Sequence, residues 1–360
     1  MGGSVGISPQ GSGKIGSGAF NPASFSNWQR FLATDIDISP REQMQPLPPE
    51  VGSDLTPRDM YKTIVFAAGQ VDFMPRADGM FGLLAYALMG QVSSVTGKDM
   101  DGNTVAGVNT HLFSFNQGER LPWFSMRKYV PGANPLAEYA GDCIMQNLRI
   151  VVPATGKMQM TASFLGRLPL EDPTVPNPDN LAWANTYNPS GTIPESCSAT
   201  ISLGADAPKV LSCTMNISNG TTQAAQEAIV GSYYLDDIIA LQRSVSIQVV
   251  VKWESPDLYL KAFGGASNAT SWTPNPYKTS GVGPNWGFKL IGKAPSVIAS
   301  GRNYAFGLRA QDVVWSADGG PQLQAGNIVT QRFNGLVITP ASGVYAQLLL
   351  QNATAAYAWA

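Results

Sequence analysis

The side chains able to do chemistry in this chain are few and scattered. The single histidine, His111, stands in the run NTHLFSF. One imidazole and three dispersed cysteines, Cys143, Cys197 and Cys213, do not make the ligand set of a zinc site, so His111 reads as a polar residue at a strand end. GSGK (11–14) has part of a phosphate-binding loop, but Ser8 stands where its first glycine should be and Ile15 where Ser or Thr should follow the lysine. DMDGNT (99–104) alternates Asp99, Asp101 and Asn103 as a calcium loop does. Thr104 then replaces the required glycine and Thr110 the closing glutamate, so a turn at Asp101-Gly102 is the better reading. Asp35 and Asp37 alternate with Ile36 and Ile38, which predicts the wet face of a strand rather than an acid–base pair. Asp236 and Asp237 sit beside SYYL in a polar insertion, where contact chemistry is expected. No Gly-x-Ser-x-Gly and no Cys/His dyad is present, and the eight tryptophans are spread along the chain without a stacking motif. The expectation is a protein without catalytic residues, metal or cofactor.

Composition points the same way. The chain has 360 residues, of which 44% are hydrophobic and only 13% charged, about half the usual share of roughly 25%. Bases and acids nearly cancel, 23 against 25, which leaves no field for nucleic acid or a basic partner. A weakly charged surface is poor at staying monomeric, a first hint of assembly. The start, MGGSVGISPQGSGKIGSG, lacks the apolar core of a signal peptide, and no run reaches the roughly 20 apolar residues of a membrane helix. With no cysteine framework, a reducing compartment is the simplest expectation, and the Asn-x-Ser/Thr triplets at Asn216, Asn219, Asn268 and Asn352 read as chance.

The periodicity is mostly two. SVSIQVVVKW (244–253) puts Val245, Ile247, Val249 and Val251 on one face and Ser246, Gln248 and Lys252 on the other. VLSCTMNIS (210–218) sets Leu211, Cys213, Met215 and Ile217 against Ser212, Thr214 and Asn216. KMQMTASF (157–164) does the same with Met158, Met160, Ala162 and Phe164. Such alternation predicts half-buried antiparallel strands. NLRIVVPATGKMQMTASF (147–164) predicts a hairpin turning at Pro153–Gly156. One stretch breaks the rule: PRADGMFGLLAYALMG (75–90), the densest apolar run in the chain. Pro75 and Asp78 offer a helix start, Met80, Phe81, Leu84 and Leu88 fall at helical spacing, and Gly90 ends the run.

That motif echoes in ESPDLYLKAFGG (254–265), where Ser255 predicts an N-cap, Pro256 the first helical position and Gly264 the C-terminal cap, with Leu258, Leu260 and Phe263 on the helix. A strand, a proline, an apolar helix and a glycine thus occur twice, and an internal duplication of two β domains, each with one short flanking helix, is expected. The expected division is a Gly/Ser-rich arm over residues 1–29, a first domain over 30–170, a Pro/Asn-rich linker over 171–206 and a second domain over 207–360. Two long insertions, 39–61 and 219–241, each precede the strand that leads into a helix. They predict two projecting loops with a shared task, with Leu47, Pro48, Val51 and Leu55 on the first and Ile229, Val230, Tyr233, Tyr234, Asp236 and Asp237 on the second. The apolar excess of the first helix predicts that it also touches a neighbouring subunit.

The order of features resembles the major tail tube protein of long, non-contractile phage tails. The resemblance is carried by FGLLAYALMG after a strand, then HLFSFNQGERLPWFSMRKYV with Pro122-Trp123-Phe124-Ser125, then Gly141-Asp142-Cys143 opening a hairpin that closes on Phe164-Leu165-Gly166. The second half, from VLSCTMNISNG through SVSIQVVVKWESPDLYLKAFGG to RFNGLVITPASGVYAQLLLQN, is similar to the same family's other recurring block. It spans about residues 60–357. Length, Gly-rich arm and Pro/Asn linker depart from the simplest family members.

The resemblance implies a mainly β fold, two tandem β-sandwich or barrel domains, and a structural virion protein whose subunits join edge to edge. It implies rings that stack through long loops, with a lumen of neutral or acidic potential that conducts double-stranded DNA without sequence-specific binding. Two domains per chain imply a homotrimeric, pseudo-hexameric ring. Implied partners are further copies of the chain, a tape-measure protein and DNA in the lumen, and terminator and distal tail proteins at the ends, with no membrane. The implied location is the virion tail, assembled in the bacterial cytoplasm. The rival expectations are a capsid or decoration protein, and a carbohydrate-binding β-sandwich of a phage fibre with an aromatic groove and nearby acids.

Overall fold

The structure, a computed structural model, describes residues 4–10, 14–15, 28–48, 59–77, 80–116, 118, 120–132, 136–171, 192–264, 287–323, 328–340 and 342–357. In chain order the elements are β1 (Ser4–Pro9), β2 (Gln29–Phe31), β3 (Ala33–Pro46), β4 (Met60–Phe73), α1 (Met80–Met89), β5 (Gly90–Lys98), β6 (Thr104–Phe115), β7 (Phe124–Val130), β8 (Leu136–Val152) and β9 (Gln159–Glu171). There follow β10 (Ala199–Leu203), β11 (Val210–Ser218), β12 (Ser244–Lys252), α2 (Asp257–Gly264), β13 (Phe288–Ala299), β14 (Arg302–Ala310), β15 (Val313–Ala317), β16 (Thr330–Val337) and β17 (Ala346–Asn352).

The fold is mainly β, with two antiparallel sheets and two short α-helices among the described residues. The smaller sheet runs β10-β13-β14-β17-β6-β5. The larger runs β15-β16-β12-β11-β8-β7-β1-β2, with β9, β4 and β3 branching from β8. Both sheets mix strands from the two halves of the chain. Asn147–Val152 of β8 pairs with Cys213–Ser218 of β11, and Asn109–Ser114 of β6 pairs with Gln347–Asn352 of β17. One hydrophobic core lies between the sheets, joining Val71, Phe164 and Met215 of the larger to Phe113, Phe306 and Leu348 of the smaller.

The period-two reading is largely realised. Met158, Met160, Ala162 and Phe164 are all buried, as are Val245, Ile247, Val249 and Val251. The hairpin expected over 147–164 is β8–β9, with Gly156 in the left-handed region that its turn requires (φ 95°). Leu211 differs. The register slips between Val210 and Ser212, a bulge that leaves Leu211 half-buried while Cys213, Met215 and Ile217 reach the core. Ala199–Leu203, inside the expected linker, forms the edge strand β10 against β13. The Gly/Ser-rich arm contributes β1, which inserts between β7 and β2 and buries Val5 and Ile7 completely.

The helix α1 covers the span its spacing predicts; Asp78 lies outside the described residues. Phe81, Leu84 and Leu88 are buried, and the helix touches strands of both sheets. Phe81 meets Phe306 of the second half edge to face, with ring centroids 4.7 Å apart. Gly82 lies under the Tyr357 ring, which a Cβ would strike. The apolar excess of α1 is therefore largely taken up inside the chain, as expected for a helix apolar on all sides. The second helix begins at Asp257, so Pro256 accepts the first helical bond, from Leu260 N–H at 2.9 Å. Ser255 donates to the Asp257 carboxylate instead of capping an amide (2.8 Å). Leu258 packs on the main core, Leu260 is half-buried, and Phe263 falls on the last turn.

A core shared by both halves should unfold as one unit. Phe81→Ala is expected to cost roughly 3–5 kcal/mol and to lower a single cooperative transition in chemical denaturation followed by tryptophan fluorescence. Two separated transitions would contradict the shared core.

Candidate assembly surfaces

Eight strands form one unbroken antiparallel path, β15-β16-β12-β11-β8-β9-β4-β3. The far half of β8 makes this possible, since it pairs with β11 on one side and β9 on the other. Alternation holds along most of the path, so one face enters the core and the other carries many hydroxyls and amides, with Val250, Val314 and Leu336 among them. The register aligns the outward side chains in rows. Asn216 stands between Ser246 and Arg149, and Thr161 between Arg149 and Asp72. Gln248 donates to Asn334 (3.1 Å) and Thr161 to Asp72 (2.6 Å). Asp35, Asp37 and Asp72 lie near one edge, Arg149 centrally, Lys252 and Arg332 toward the other; Asp37 is paired with Arg41 and Arg332 with Asp318. Among the described residues the basic side chains of this face do not cluster. Asp35 and Asp37 are the wet strand face that the alternation predicts.

Past Ala67, β4 loses β9 and pairs with β3 alone, so the far halves of these strands make a two-stranded ribbon. Lys62–Glu42, Tyr61 Oη to Gln45 (2.8 Å) and Thr63 Oγ1 to the Gln43 carbonyl (3.1 Å) hold it. Met44, Leu47, Met60 and Tyr61 are exposed around its tip, with Pro48 beside them. Val51 and Leu55 lie outside the described residues.

Insertion 219–241 projects less than its sequence implies. Its neck is closed by Thr222 N–H to the Ile239 carbonyl (2.9 Å) and Leu241 N–H to Gly220 (3.0 Å). The outward face of β4 changes character along its length, from Asp72 and Gln70 to Ala68, Phe66 and Ile64. The insertion covers this apolar part, burying Leu235, Ile238 and Ala240 against Ile64, Ile144 and Leu165 in a second small core. Tyr233 accepts the Val65 N–H at 2.7 Å. The two segments expected as projecting loops are thus joined, and the apex with Ile229, Val230, Tyr233 and Tyr234 is exposed.

The Asp pair of this insertion faces the chain's own N-terminal segment. Lys14 lies 3.8 Å from Asp236 and 3.7 Å from Asp237, and it donates to the Asp236 carbonyl. Behind it, Asp142 is fully buried with a left-handed backbone (φ 49°). Its carboxylate accepts from Gln10 (3.0 Å), the Ile15 amide (2.6 Å) and Arg167, whose Nε reaches the Leu235 carbonyl (2.8 Å). Burial pushes the Asp142 carboxyl above its ordinary value, against the pull of these donors. Gly166 sits opposite Cys143, and a Cβ there would stand 2.7 Å from the Cys143 sulfur. The Gly-Asp-Cys and Phe-x-Gly motifs are therefore two sides of one bend in the sheet. Periodicity missed the Asp142–Arg167 pair; its one signal was a pair of opposite charges set in apolar strand runs.

The other chemical candidates are internally satisfied. His111 lies in the middle of β6, not at a strand end, and is buried. Its Nε2 faces Asn352 Oδ1 (3.1 Å) and the Thr354 carbonyl (3.0 Å) as donor, and Nδ1 accepts from Ser94 (2.7 Å). Burial lowers its pKa, against these bonds, and the neutral ring pins the C-terminal segment to the smaller sheet. Asp99 accepts from the amides of Asp101 (3.0 Å) and Asn103 (2.8 Å) and lies 2.8 Å from Arg302, which makes a turn rather than an open cation site. A groove of about 320 Å³ beside α2 holds Trp253 with Asp206, Glu254 and Asp257. Those acids are engaged by Lys261, Lys209 and Ser255.

A family model described as phage tail tube protein matches residues 47–339. No curated protein matches the chain. Asp142→Ala leaves Arg167 buried without its carboxylate. It is expected to cost roughly 3–5 kcal/mol, read by thermal unfolding, and to open the segment around Lys14 to limited proteolysis. Unchanged stability would mean that the pair does not hold this corner.

Proposed function

The chain belongs to the phage tail tube protein family, and on that premise we propose that three copies close into a ring, that rings stack into the tube, and that double-stranded DNA passes through the lumen during ejection. Membership makes the protein a structural component of the virion tail that self-assembles into a tube. The finer reading rests chiefly on one observation: an eight-stranded antiparallel path, largely polar on one face, whose end strands β3 and β15 each pair with a single strand among the described residues. Exposed edges invite pairing with another copy, and a closed ring removes them.

The order of elements supports an internal duplication. A hairpin of the larger sheet, a helix, a hairpin of the smaller sheet and a second hairpin of the larger sheet occur as β3–β4, α1, β5–β6, β8–β9 and again as β11–β12, α2, β13–β14, β15–β16. In each set the last strand pairs back on the strand before the helix, β9 on β4 and β16 on β12. Each half so contributes four strands to the path. Three chains would then line the lumen with roughly 24 strands, from three times eight, a wall on the order of 40–50 Å across. Hydroxyls and amides on that wall suit passage of a polyanion, because only clustered cations release counterions and hold DNA. Tape-measure protein and DNA would occupy the lumen in turn, terminator and distal proteins would cap the ends, and assembly would take place in the host cytoplasm.

The ribbon tip with Leu47 and Pro48, and the apex with Ile229, Val230, Tyr233 and Tyr234, are the ring-stacking surfaces of this reading. Asp236 and Asp237 act behind the second by holding Lys14. In negative-stain microscopy the purified protein is expected to form striated tubes built from three-fold rings, and Leu47→Asp with Met60→Asp to stop at single rings. Discrete monomers from the unaltered chain would sink the proposal. Asn216→Lys with Gln248→Lys should leave tubes intact but make them retain duplex DNA in a salt-dependent way, measured by co-sedimentation at rising ionic strength. Equal DNA release from both tubes would remove the polar face from the lumen.

A further inference from the structure

We infer that the outward face of the smaller sheet carries a binding groove for an acidic polysaccharide, formed along the β10–β13 edge by Lys289, Lys293 and Arg302 with Thr200 and Ser202. The binding chemistry stands apart from the ring reading; only the place of the groove on the outside of a tube rests on it.

Three observations lead there. The first is where the cations sit. The hairpin β13–β14 holds four basic residues, Lys289, Lys293, Arg302 and Arg309, and no acid, in a chain whose acids outnumber its bases, 25 to 23. Phe288, Leu290, Phe306 and Leu308 point into the core, so Lys289, Lys293 and Arg309 stand on the opposite face, where they are exposed. The register sets Lys289 directly across from Arg309. Like charges opposed on a ladder cost stability, and an anion shared between them removes that cost. Among the described residues neither Lys293 nor Arg309 enters an ion pair.

The second is shape. A groove of about 330 Å³ lies between β10, the β13–β14 hairpin and the turn at Asp99. Its charged lining is Lys289, Lys293 and Arg302 against Asp99 and Asp101. Asp99 is taken up by the Asp101 and Asn103 amides and by Arg302 at 2.8 Å, which fixes the guanidinium at the groove. Asp101 is exposed and 3.9 Å from Lys289, a pair that solvent screens. Cations therefore stay in excess, and Arg309 adds another beside them.

The third is what lies between the cations. Lys289 and Lys293 flank Ile291 on one face of β13, about 13 Å apart along the strand. Ile291 and Ala305 supply an apolar floor, and β10 sets Ser202 opposite Lys289 and Thr200 opposite Ile291. Among the described residues neither hydroxyl has a hydrogen-bond partner. Separated cations, open hydroxyls and an apolar strip fit a chain of sugars. Its carboxylates meet the lysines, its hydroxyls meet Thr200 and Ser202, and the C–H face of a ring lies on Ile291. None of the lining residues is aromatic, so a nucleic-acid base finds nothing to stack on. The core separates this face from the polar path of the larger sheet, so in the ring reading the groove opens to the outside of the tube.

Binding of fluorescently labelled polygalacturonate to the full-length protein, followed by polarisation at rising ionic strength, tests the groove. Neutral dextran and a DNA duplex are the comparison ligands. Polygalacturonate is expected to bind, dextran not to bind, and the duplex to bind more weakly. Lys289→Gln with Lys293→Gln should weaken binding about tenfold or more, and Asp101→Asn should tighten it. Thr200→Ala with Ser202→Ala should weaken it without changing its salt dependence. Lys209→Gln, which removes a cation paired with Glu254 elsewhere, should leave it unchanged. Duplex bound as tightly as polygalacturonate, or binding indifferent to the two hydroxyls, overturns the polysaccharide as ligand. Binding that survives the double lysine change, or none by the unaltered chain, overturns the groove. Lysine-dependent binding by a chain that never forms tubes overturns the ring reading and leaves the groove in place. Binding kept by free subunits but lost on tubes overturns its outside position.

Discussion

The ladder between Asn147–Val152 and Cys213–Ser218 is the constraint on which the rest of the molecule depends. Without it the two quartets of strands, β8-β9-β4-β3 and β15-β16-β12-β11, would be separate. Joined through β8 and β11, the quartets share one core, and their polar faces run on without a seam. The same ladder fixes parity, because an even path of antiparallel strands can be continued by rotation. It also explains why α1 is so apolar. The helix is a wedge between two sheets, with Phe306 of the second half against Phe81 of the first.

Joining the quartets has a cost at the bend of β8. There the strand leaves β7 for β11, and Asp142 takes a left-handed backbone with its carboxylate in the interior. A buried carboxylate is tolerated only when its lone pairs are taken up. Arg167, the Ile15 amide and Gln10 do this, and two of the three come from the N-terminal arm. The arm is thus part of the fold's electrostatics as well as an added strand. The same Arg167 holds the Leu235 carbonyl, so arm, bend and insertion 219–241 form one connected corner.

The change of character along the outward face of β4 separates two surfaces. Where it carries Asp72 and Gln70, the face stays open and polar. Where it carries Ile64 and Phe66, the insertion closes over it and shows its own apolar apex instead. A single strand therefore passes from open wall to covered base to exposed ribbon tip. A weakly charged chain can sustain this because its outward rows combine hydrogen-bonded amides and hydroxyls, as at Gln248–Asn334, with a few ion pairs such as Asp37–Arg41.

Much of this was legible in the chain itself. Side-chain alternation is a property of the backbone, so the faces of β12, β9 and most of β11 could be read directly, as could the β8–β9 turn and the span of α1. The hydroxyl and amide face was visible as the off-beat of the same pattern. What period two does not encode is which strand lies beside which. That depends on contacts far apart in sequence, and it decided the mixing of halves in both sheets, the placing of His111 in mid-strand and the strand character of Ala199–Leu203. Leu211 was misplaced because a bulge shifts the phase of a strand without marking the sequence. The two insertions looked alike as polar interruptions. Only the tertiary structure showed that one ends in an exposed ribbon and the other folds back over Ile64 and Leu165, because apolar residues spaced irregularly in a loop have no period and find their partners only once the sheet exists.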